Sequence, residues 1–205
     1  MNDASLPLQS KSAVRALMRA RLKTFTPAQR TSASEQLSRR LESQPAWRQA
    51  AVLLCYHALP TEPDISGLMH DALAQGKTVA LPQFDAQSNC YRAAQVRDWK
   101  ADLGTGRFGI PEPAAHCPSV PLNQLDFVLV PGVAFDLRGR RLGRGGGFYD
   151  RLLGAVHALK CGVGFDEQLQ LEIPVESHDI LLDCIVTPSR WLDLRPGRAG
   201  HDSVG

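Results

Sequence analysis

The segment Asp126-Phe127-Val128-Leu129-Val130-Pro131-Gly132 holds four consecutive apolar residues and ends at a proline and a glycine. Such a run is typical of a strand that is buried on both faces, because a half-buried strand would alternate apolar and polar residues. A second, mostly apolar run, Ala51–His57, lies upstream, and a predicted helix lies between the two. Strands that alternate with helices predict an α/β fold with a mainly parallel sheet covered on both faces.

The N-terminal part of the chain predicts a pair of helices. Lys11–Lys23 carries apolar residues at helical spacing. Thr26 is suited to cap a second helix, which we expect to end near Leu41, since a proline and a glutamine follow at the favoured positions. Further helices are expected at Ile65–Gln75, Phe148–His157 and, as a short one, Asp166–Leu171. Further strands are expected at Thr78–Leu81, Asn89–Val96, Lys160–Phe165 and Ile180–Val186, and an extended or turn-rich stretch at Gly104–Pro121.

The strongest motif for function is Arg141-Leu142-Gly143-Arg144-Gly145-Gly146-Gly147-Phe148-Tyr149-Asp150, which has glycine at four of five successive positions. Glycines let backbone N–H groups approach a ligand closely, and the start of the following helix favours anions. The two arginines add forked donors that match phosphate or carboxylate oxygens. The motif lacks the endings of the common nucleotide-binding loops. It predicts an anionic-ligand site rather than a flexible basic turn.

Length and composition restrict the class of protein. A chain of 205 residues is most simply one domain, which we expect over residues 1–195, with a disordered tail at 196–205. The formal charge of +2 is too small to indicate nucleic-acid binding, and no apolar stretch reaches membrane-spanning length. The five cysteines are scattered and form no C-x-x-C pair. We therefore expect reduced cysteines and a cytoplasmic location.

Several charged residues have both a functional and an ordinary interpretation. Asp150 begins a predicted helix, so it could serve as a dipole partner or hold Mg²⁺ against a phosphate, and the residues alone favour neither. Asp179 precedes the last predicted strand, where a solvated carboxylate is common. Glu62 follows the first strand, at the end of the sheet where ligands gather, but it could be a turn residue. Lys11 and Arg15 lie one helical turn apart and could clamp a phosphate or form a solvated basic face.

Taken together, these segments closely resemble the 5-formyltetrahydrofolate cyclo-ligase family, also called 5,10-methenyltetrahydrofolate synthetases. The resemblance runs from about Lys11 to Thr187, in the family's order. The glycine-rich core is highly specific, whereas the N-terminal basic pair would be weak by itself. The matching segments are Lys11…Arg15, Tyr56…Glu62-Pro63-Asp64, Phe108–Pro113, Pro131–Asp136, Gly139, Arg141–Arg151 and His178–Asp183.

The resemblance implies a three-layer α/β/α sandwich and an ATP-driven ring closure. ATP would phosphorylate the formyl oxygen of 5-formyltetrahydrofolate, and the adjacent folate nitrogen would then displace phosphate to form 5,10-methenyltetrahydrofolate. By the same resemblance, ATP would be held by Lys11, Arg15 and all nine residues from Arg141 to Tyr149, namely Arg141, Leu142, Gly143, Arg144, Gly145, Gly146, Gly147, Phe148 and Tyr149. Folate would contact His57, Glu62 and the segment Arg144–Phe148. Arg144 and Tyr149 would act in catalysis, and Asp150 and Asp179 would bind Mg²⁺.

The chain departs from the family's common pattern at three positions. Phe148 stands where tyrosine is common, Gly146 where some members have lysine, and Ile65 where a threonine could cap a helix. Two other functions stay open: a non-catalytic folate- or nucleotide-binding module, and another α/β enzyme for a phosphorylated or CoA-linked substrate. We expect a monomer that takes 5-formyltetrahydrofolate and ATP, with no nucleic acid or membrane as partner.

Overall fold

Helices form the N-terminal part of the protein, as expected. The computed structural model describes residues 10–174, 176 and 179–196. Helix α1 spans Lys11–Lys23 and α2 spans Pro27–Glu42. Thr26 and Gln29 form the predicted capping box at the start of α2. A short helix that the sequence did not indicate, α3 (Pro45–Gln49), follows directly and places Trp47 in the core.

An eight-stranded sheet forms the centre of the molecule. Its strands are β1 (Val52–Leu54), β2 (Thr78–Asp85), β3 (Cys90–Val96), β6 (Ser119–Val120), β7 (Phe127–Pro131), β10 (Leu159–Val163), β12 (Cys184–Val186) and β13 (Trp191–Asp193). They lie in the order β13-β12-β10-β7-β1-β2-β3-β6. The five strands from β12 to β2 are parallel, whereas β13, β3 and β6 are antiparallel to their neighbours. The prediction of a mainly parallel sheet is confirmed.

Two separate cores cover the two faces of this sheet. Successive residues of one strand point to opposite faces, so Phe127 packs into one core and Val128 into the other. The first core contains residues of α2, α3 and α4 (Ser66–Ala74). The second contains Leu152 and Leu153 of α5 (Phe148–Gly154). The three-layer α/β/α arrangement follows from this division.

The segments around the carboxyl ends of the parallel strands contain two smaller sheets. β8 (Ala134–Asp136), β9 (Arg141–Leu142) and β11 (Leu169–Gln170) form a three-stranded sheet, in which β8 pairs with both others. β4 (Leu103–Thr105) and β5 (Pro111–Pro113) form an antiparallel ribbon within the stretch expected to be extended or turn. Helix α1 packs against β8 and β9 through Val14 and Met18.

Several predicted boundaries are wrong. The first strand is three residues long rather than seven, and the strand predicted to begin at Ile180 begins at Cys184. The strand predicted to end at Leu81 continues to Asp85, because β3 pairs with it along this whole extension and the Glu112 carboxylate accepts a hydrogen bond from Phe84 N. The short helix expected from Asp166 is a 3-10 turn of three residues.

Three further expectations concern the cap of α4, membrane-spanning helices and the C-terminal tail. Ile65 gives α4 no side-chain cap, but the carboxylate of Asp64 accepts a hydrogen bond from Ser66 N at 2.9 Å in its place. No helix in the described part of the chain combines the length and apolarity needed to cross a bilayer. Almost all of the tail for which we expected disorder lies outside the described residues.

Candidate active site

A cavity of about 840 Å³ opens at the carboxyl ends of the parallel strands. Its floor comes from residues that end or follow these strands, among them Tyr56 after β1 and Pro131 of β7. The glycine-rich segment Arg141–Tyr149 forms one side, and Lys11 and Arg15 of α1 contribute next to it. Ligands of open parallel sheets gather at this edge, so the position agrees with the expectation from sequence.

All of the residues assigned by resemblance line this one cavity. They are Lys11, Arg15, His57, Glu62, Arg141, Leu142, Gly143, Arg144, Gly145, Gly146, Gly147, Phe148, Tyr149, Asp150 and Asp179. The folding of the chain thus brings four distant segments together. What each residue does there stays a prediction.

The backbone of the glycine-rich segment has the bends that the sequence suggested. Gly145 and Gly147 have φ angles of +108° and +63°, in the region that favours glycine. Gly147 caps α5, so the N–H groups of the helix's first turn lack intrahelical partners and lie at the cavity. The segment can therefore present backbone donors to an anion.

The first arginine of the motif is buried. The side chain of Arg141 is 3% exposed, and its Nη2 lies 2.6 Å from Oδ1 of Asp150. Its Nη1 donates to the carbonyl oxygen of Pro131 at 3.4 Å, whereas Nε has no hydrogen-bond partner among the described residues. Arg141 therefore fixes the start of α5 against the end of β7.

The second arginine lies at the surface of the cavity. The side chain of Arg144 is 53% exposed, and its Nε and Nη2 both donate to Oε1 of Glu62, at 3.1 and 3.0 Å. Nη2 also donates to the hydroxyl of Thr61 at 3.1 Å. Glu62 is itself buried, and its Oε2 accepts a hydrogen bond from Leu59 N at 3.0 Å. The turn after β1 and the glycine-rich segment are therefore joined across the cavity.

Helix α1 carries the remaining cations of the site. Lys11 Nζ lies 2.8 Å from Oδ2 of Asp179 and 3.4 Å from Oε1 of Glu176. Arg15 Nε donates to the carbonyl oxygen of Gly143 at 2.9 Å. Both cations face the cavity from the helix that packs on β8 and β9, so the basic pair is part of the site rather than a solvated face.

The donor set of the cavity fits a divalent cation that is completed by phosphate oxygens. Asp150 and Asp179 both line the cavity, and Mg²⁺ takes one or two carboxylates together with substrate oxygens. Among the described residues, one group of three ligand types lies close together: Asp102, His116 and Cys117. It lies away from the cavity, so the cavity has no cage made of protein ligands alone within the described part of the chain.

Burial controls the protonation of the tyrosines at the site. It raises the pKa of Tyr149 far above the usual tyrosine value, and the charge of Glu62 adds to this effect. The pKa of Tyr56 is raised for the same two reasons, and its hydroxyl donates to the carbonyl oxygen of Pro63 at 2.8 Å. Tyr149 therefore stays a neutral hydroxyl at physiological pH. His57 presents a buried Nδ1 without a partner among the described residues.

Phe148 is held by neighbours that the motif did not reveal. Its ring makes edge-to-face contacts with Tyr91 and Phe84, at centroid distances of 5.6 and 6.1 Å. The guanidinium carbons of Arg107 and Arg151 lie 5.0 and 4.8 Å from the ring centroid. Cations over an aromatic face are attracted by the ring quadrupole, so the phenylalanine is anchored without a hydroxyl.

The absence of a side chain at Gly146 leaves space for the Phe148 ring. A Cβ on Gly146 would lie 2.7 Å from the Phe148 ring, so a side chain there would displace it. Tyr91 and Glu112 also line the cavity, although sequence reasoning singled out neither. The available signal for Glu112 was its position between two prolines in the resembling segment, which says nothing about burial.

The chain is similar to proteins of one family over most of its length. The family model described as the 5-formyltetrahydrofolate cyclo-ligase family matches residues 7–188. The 5-formyltetrahydrofolate cyclo-ligase of Escherichia coli K12 is 34% identical over 178 residues, covering 85% of this chain and 98% of that protein. The NMR structure of Aquifex aeolicus 5,10-methenyltetrahydrofolate synthetase superposes with a TM-score of 0.83 at 35% identity, covering 92% of this chain and 95% of that one. A Mycoplasma pneumoniae 5,10-methenyltetrahydrofolate synthetase, 16% identical, shares the fold with a TM-score of 0.71, covering 88% of this chain and 99% of that one.

Proposed function

The chain belongs to the 5-formyltetrahydrofolate cyclo-ligase family, and from this membership we propose that it converts 5-formyltetrahydrofolate to 5,10-methenyltetrahydrofolate. ATP would transfer its γ-phosphoryl group to the formyl oxygen, leaving ADP. The neighbouring folate nitrogen would attack the activated carbon, and the C–O bond would break with release of phosphate. The observation that carries the proposal is that one cavity combines a glycine-rich anion cradle with the buried carboxylate of Glu62.

The basic side of the cavity suits the triphosphate of ATP. Lys11 and Arg15 project from α1 toward the glycine-rich segment, and the first turn of α5 adds backbone N–H groups. Phosphoryl transfer asks for positioning and charge stabilisation more than for a covalent protein nucleophile. These donors would orient the γ-phosphoryl group and offset its charge.

Glu62 suits recognition of the folate. Arg144 occupies its Oε1 and Leu59 N its Oε2, but an ionised carboxylate has about four lone-pair sites and keeps acceptor capacity. Glu62 would accept hydrogen bonds from N–H groups of the pterin. Because Arg144 fixes this carboxylate and is half exposed, it would hold the substrate in place and also approach the transferring phosphoryl group.

Tyr149 would contribute a neutral hydroxyl. Burial, with the charge of Glu62, raises its pKa, so this hydroxyl can donate a hydrogen bond but does not act as an anionic base near neutral pH. Asp150 and Asp179 would hold Mg²⁺, which supplies charge neutralisation at the phosphate oxygens when it is bound. In that arrangement, Arg141 keeps Asp150 oriented and Lys11 keeps Asp179 oriented.

The test is absorbance near the methenyl-folate band after the purified protein is mixed with 5-formyltetrahydrofolate, ATP and Mg²⁺. We expect absorbance to grow when all three are present and to stay flat when any one is omitted or when EDTA is added. Released ADP should match the methenyl product one to one. If absorbance does not grow although calorimetry detects folate binding, the ring-closing function is wrong and the chain is a binding module.

A further inference from the structure

Glu112 is a buried carboxylate at the cavity that the proposed reaction leaves without a role. It lies in β5, is 8% exposed and lines the cavity. Its Oε2 accepts a hydrogen bond from Phe84 N at 2.8 Å. Its Oε1 accepts from Arg107 N at 3.0 Å and from the hydroxyl of Tyr91 at 3.3 Å. Both oxygens are thus engaged, by donors on three different segments.

These three donors belong to one aromatic and cationic wall. Phe84 lies in β2, Tyr91 in β3, and Arg107 in the 3-10 turn before β5. The Phe84 and Tyr91 rings lie 5.4 Å apart, and the Arg107 guanidinium carbon lies 4.1 Å above the Phe84 ring. Tyr91, Phe84 and Arg107 all contact the ring of Phe148. Glu112 therefore connects the sheet wall to the glycine-rich segment through the groups that it binds.

The chain leaves room for this carboxylate by having a glycine beside it. A Cβ on Gly106 would lie between 2.3 and 2.6 Å from the Cγ, Cδ and Cβ atoms of Glu112. The φ angle of Gly106 is −93°, which any residue can adopt, so space rather than backbone conformation explains the glycine. Gly104, which pairs with Glu112 across the ribbon, has nothing near its own Cβ position. The crowding is therefore specific to the Glu112 side chain.

We propose that Glu112 is a positioning residue, whose carboxylate fixes the Phe84–Tyr91–Phe148 wall so that the ring system of the folate substrate can pack on its cavity side. The assignment rests on the proposed function. Tyr91, Ile110 and Phe148 give this side of the cavity an apolar, aromatic surface, whereas the phosphate-binding cations lie on the α1 side. An aromatic ring system suits the first surface, and a triphosphate suits the second. Loss of Glu112 should weaken folate binding more than nucleotide binding.

Two variants test the proposal from opposite directions. Glu112→Gln replaces one acceptor oxygen with an NH2 donor. In one orientation this donor faces Phe84 N, and in the other it faces Arg107 N and the Tyr91 hydroxyl. Gly106→Ala keeps the carboxylate but displaces it. We expect each to raise the calorimetric Kd and the KM for 5-formyltetrahydrofolate about tenfold, or about 1.4 kcal/mol. The KM for ATP should change by less than about threefold, which is under about 0.7 kcal/mol.

Asp102→Asn is the matched control. The Asp102 carboxylate also accepts two backbone N–H groups, from Arg97 at 2.7 Å and Asp98 at 3.0 Å, but Asp102 does not line the cavity. It should lose thermal stability and keep the wild-type folate Kd. Wild-type folate affinity in both test variants would overturn the proposal, as would equal weakening in Asp102→Asn. If Glu112→Gln does not fold, Gly106→Ala decides in the same way.

The binding readout separates this proposal from the proposed reaction. Calorimetry with 5-formyltetrahydrofolate needs no turnover, so a wild-type protein that binds folate without forming product would refute the reaction and still test Glu112. A wild-type protein that binds no folate would overturn both.

Discussion

The two arginines of the glycine-rich segment have different environments, although the sequence presents them as equivalents. Arg141 is almost completely buried against Asp150, whereas Arg144 is half exposed and bonded to Glu62. A buried pair cannot be exchanged freely, because removing one partner leaves an uncompensated charge. Arg141 is thus suited to holding the site together, and Arg144 to contacting what enters it.

Asp150 should be needed both for turnover and for the stability of the site. We expect Asp150→Asn to lower Mg²⁺-dependent turnover by at least about 100-fold, or about 2.7 kcal/mol, because a carboxylate ligand for the cation is lost. Its unfolding midpoint should also fall, because Arg141 loses its charged partner. The measurements are product formation against Mg²⁺ concentration and urea unfolding.

Asp126→Asn provides the comparison for this variant. The Asp126 carboxylate accepts hydrogen bonds from Ala51 N at 2.8 Å and Val52 N at 2.9 Å, and it does not line the cavity. This variant should lose stability and keep the wild-type dependence on Mg²⁺. Normal turnover in Asp150→Asn would refute the metal-binding role.

Among the elements, α1 connects packing to the site most directly. Lys11, Val14, Arg15 and Met18 lie on one face of this helix, since they are three, four and seven residues apart. Val14 and Met18 pack against the small sheet, and the neighbouring Lys11 and Arg15 reach the cavity. Spacing in the sequence identified both sets, but the small sheet that receives the apolar face was not predicted. The position of the cations therefore depends on how well the apolar face packs.

Met18→Ala should loosen the helix that carries these cations. Met18 is fully buried, so we expect a loss of about 2–4 kcal/mol in the free energy of unfolding. The KM for ATP should rise, whereas the KM for 5-formyltetrahydrofolate should change less. Leu37→Ala on α2 removes an equally buried side chain from the core on one face of the main sheet. It should cost similar stability and leave both KM values unchanged; equal KM shifts in the two variants would contradict the expectation.

At the scale of the whole molecule, the three tyrosines predict how stability depends on pH. Burial raises the pKa of Tyr56, Tyr91 and Tyr149, that of Tyr91 to about 12. The folded protein therefore keeps these protons to higher pH than the unfolded chain does. The stability from this difference is fully present below the ordinary tyrosine pKa of about 10 and is lost as pH rises toward the folded values.

Urea unfolding from about pH 8 to about pH 11 checks this expectation. The free energy of unfolding should decline as pH rises above about 10. Tyr91→Phe removes one of the titrating groups, so its decline should be shallower than that of the wild type. Parallel declines in the two proteins would show that the environment of Tyr91 does not stabilise its protonated form.

Some features of the whole fold could be predicted from the sequence, and others could not. Apolar strands, caps and glycines are local signals, and they correctly indicated the parallel sheet, both N-terminal helices and the edge where the cavity lies. Short elements gave no such signal. α3 and the β8–β9–β11 sheet have few residues each and exist because tertiary neighbours cover them.

The sequence by itself determined the fold class, the family and four of the segments that line the cavity, because motif order and apolar periodicity are written along the chain. Only the tertiary structure decided which charges pair. It buried Arg141 on Asp150, joined Arg144 to Glu62 and placed Glu112 beneath an aromatic wall from three segments. These pairings depend on distances and burial between residues far apart in sequence, and no local pattern specifies either quantity.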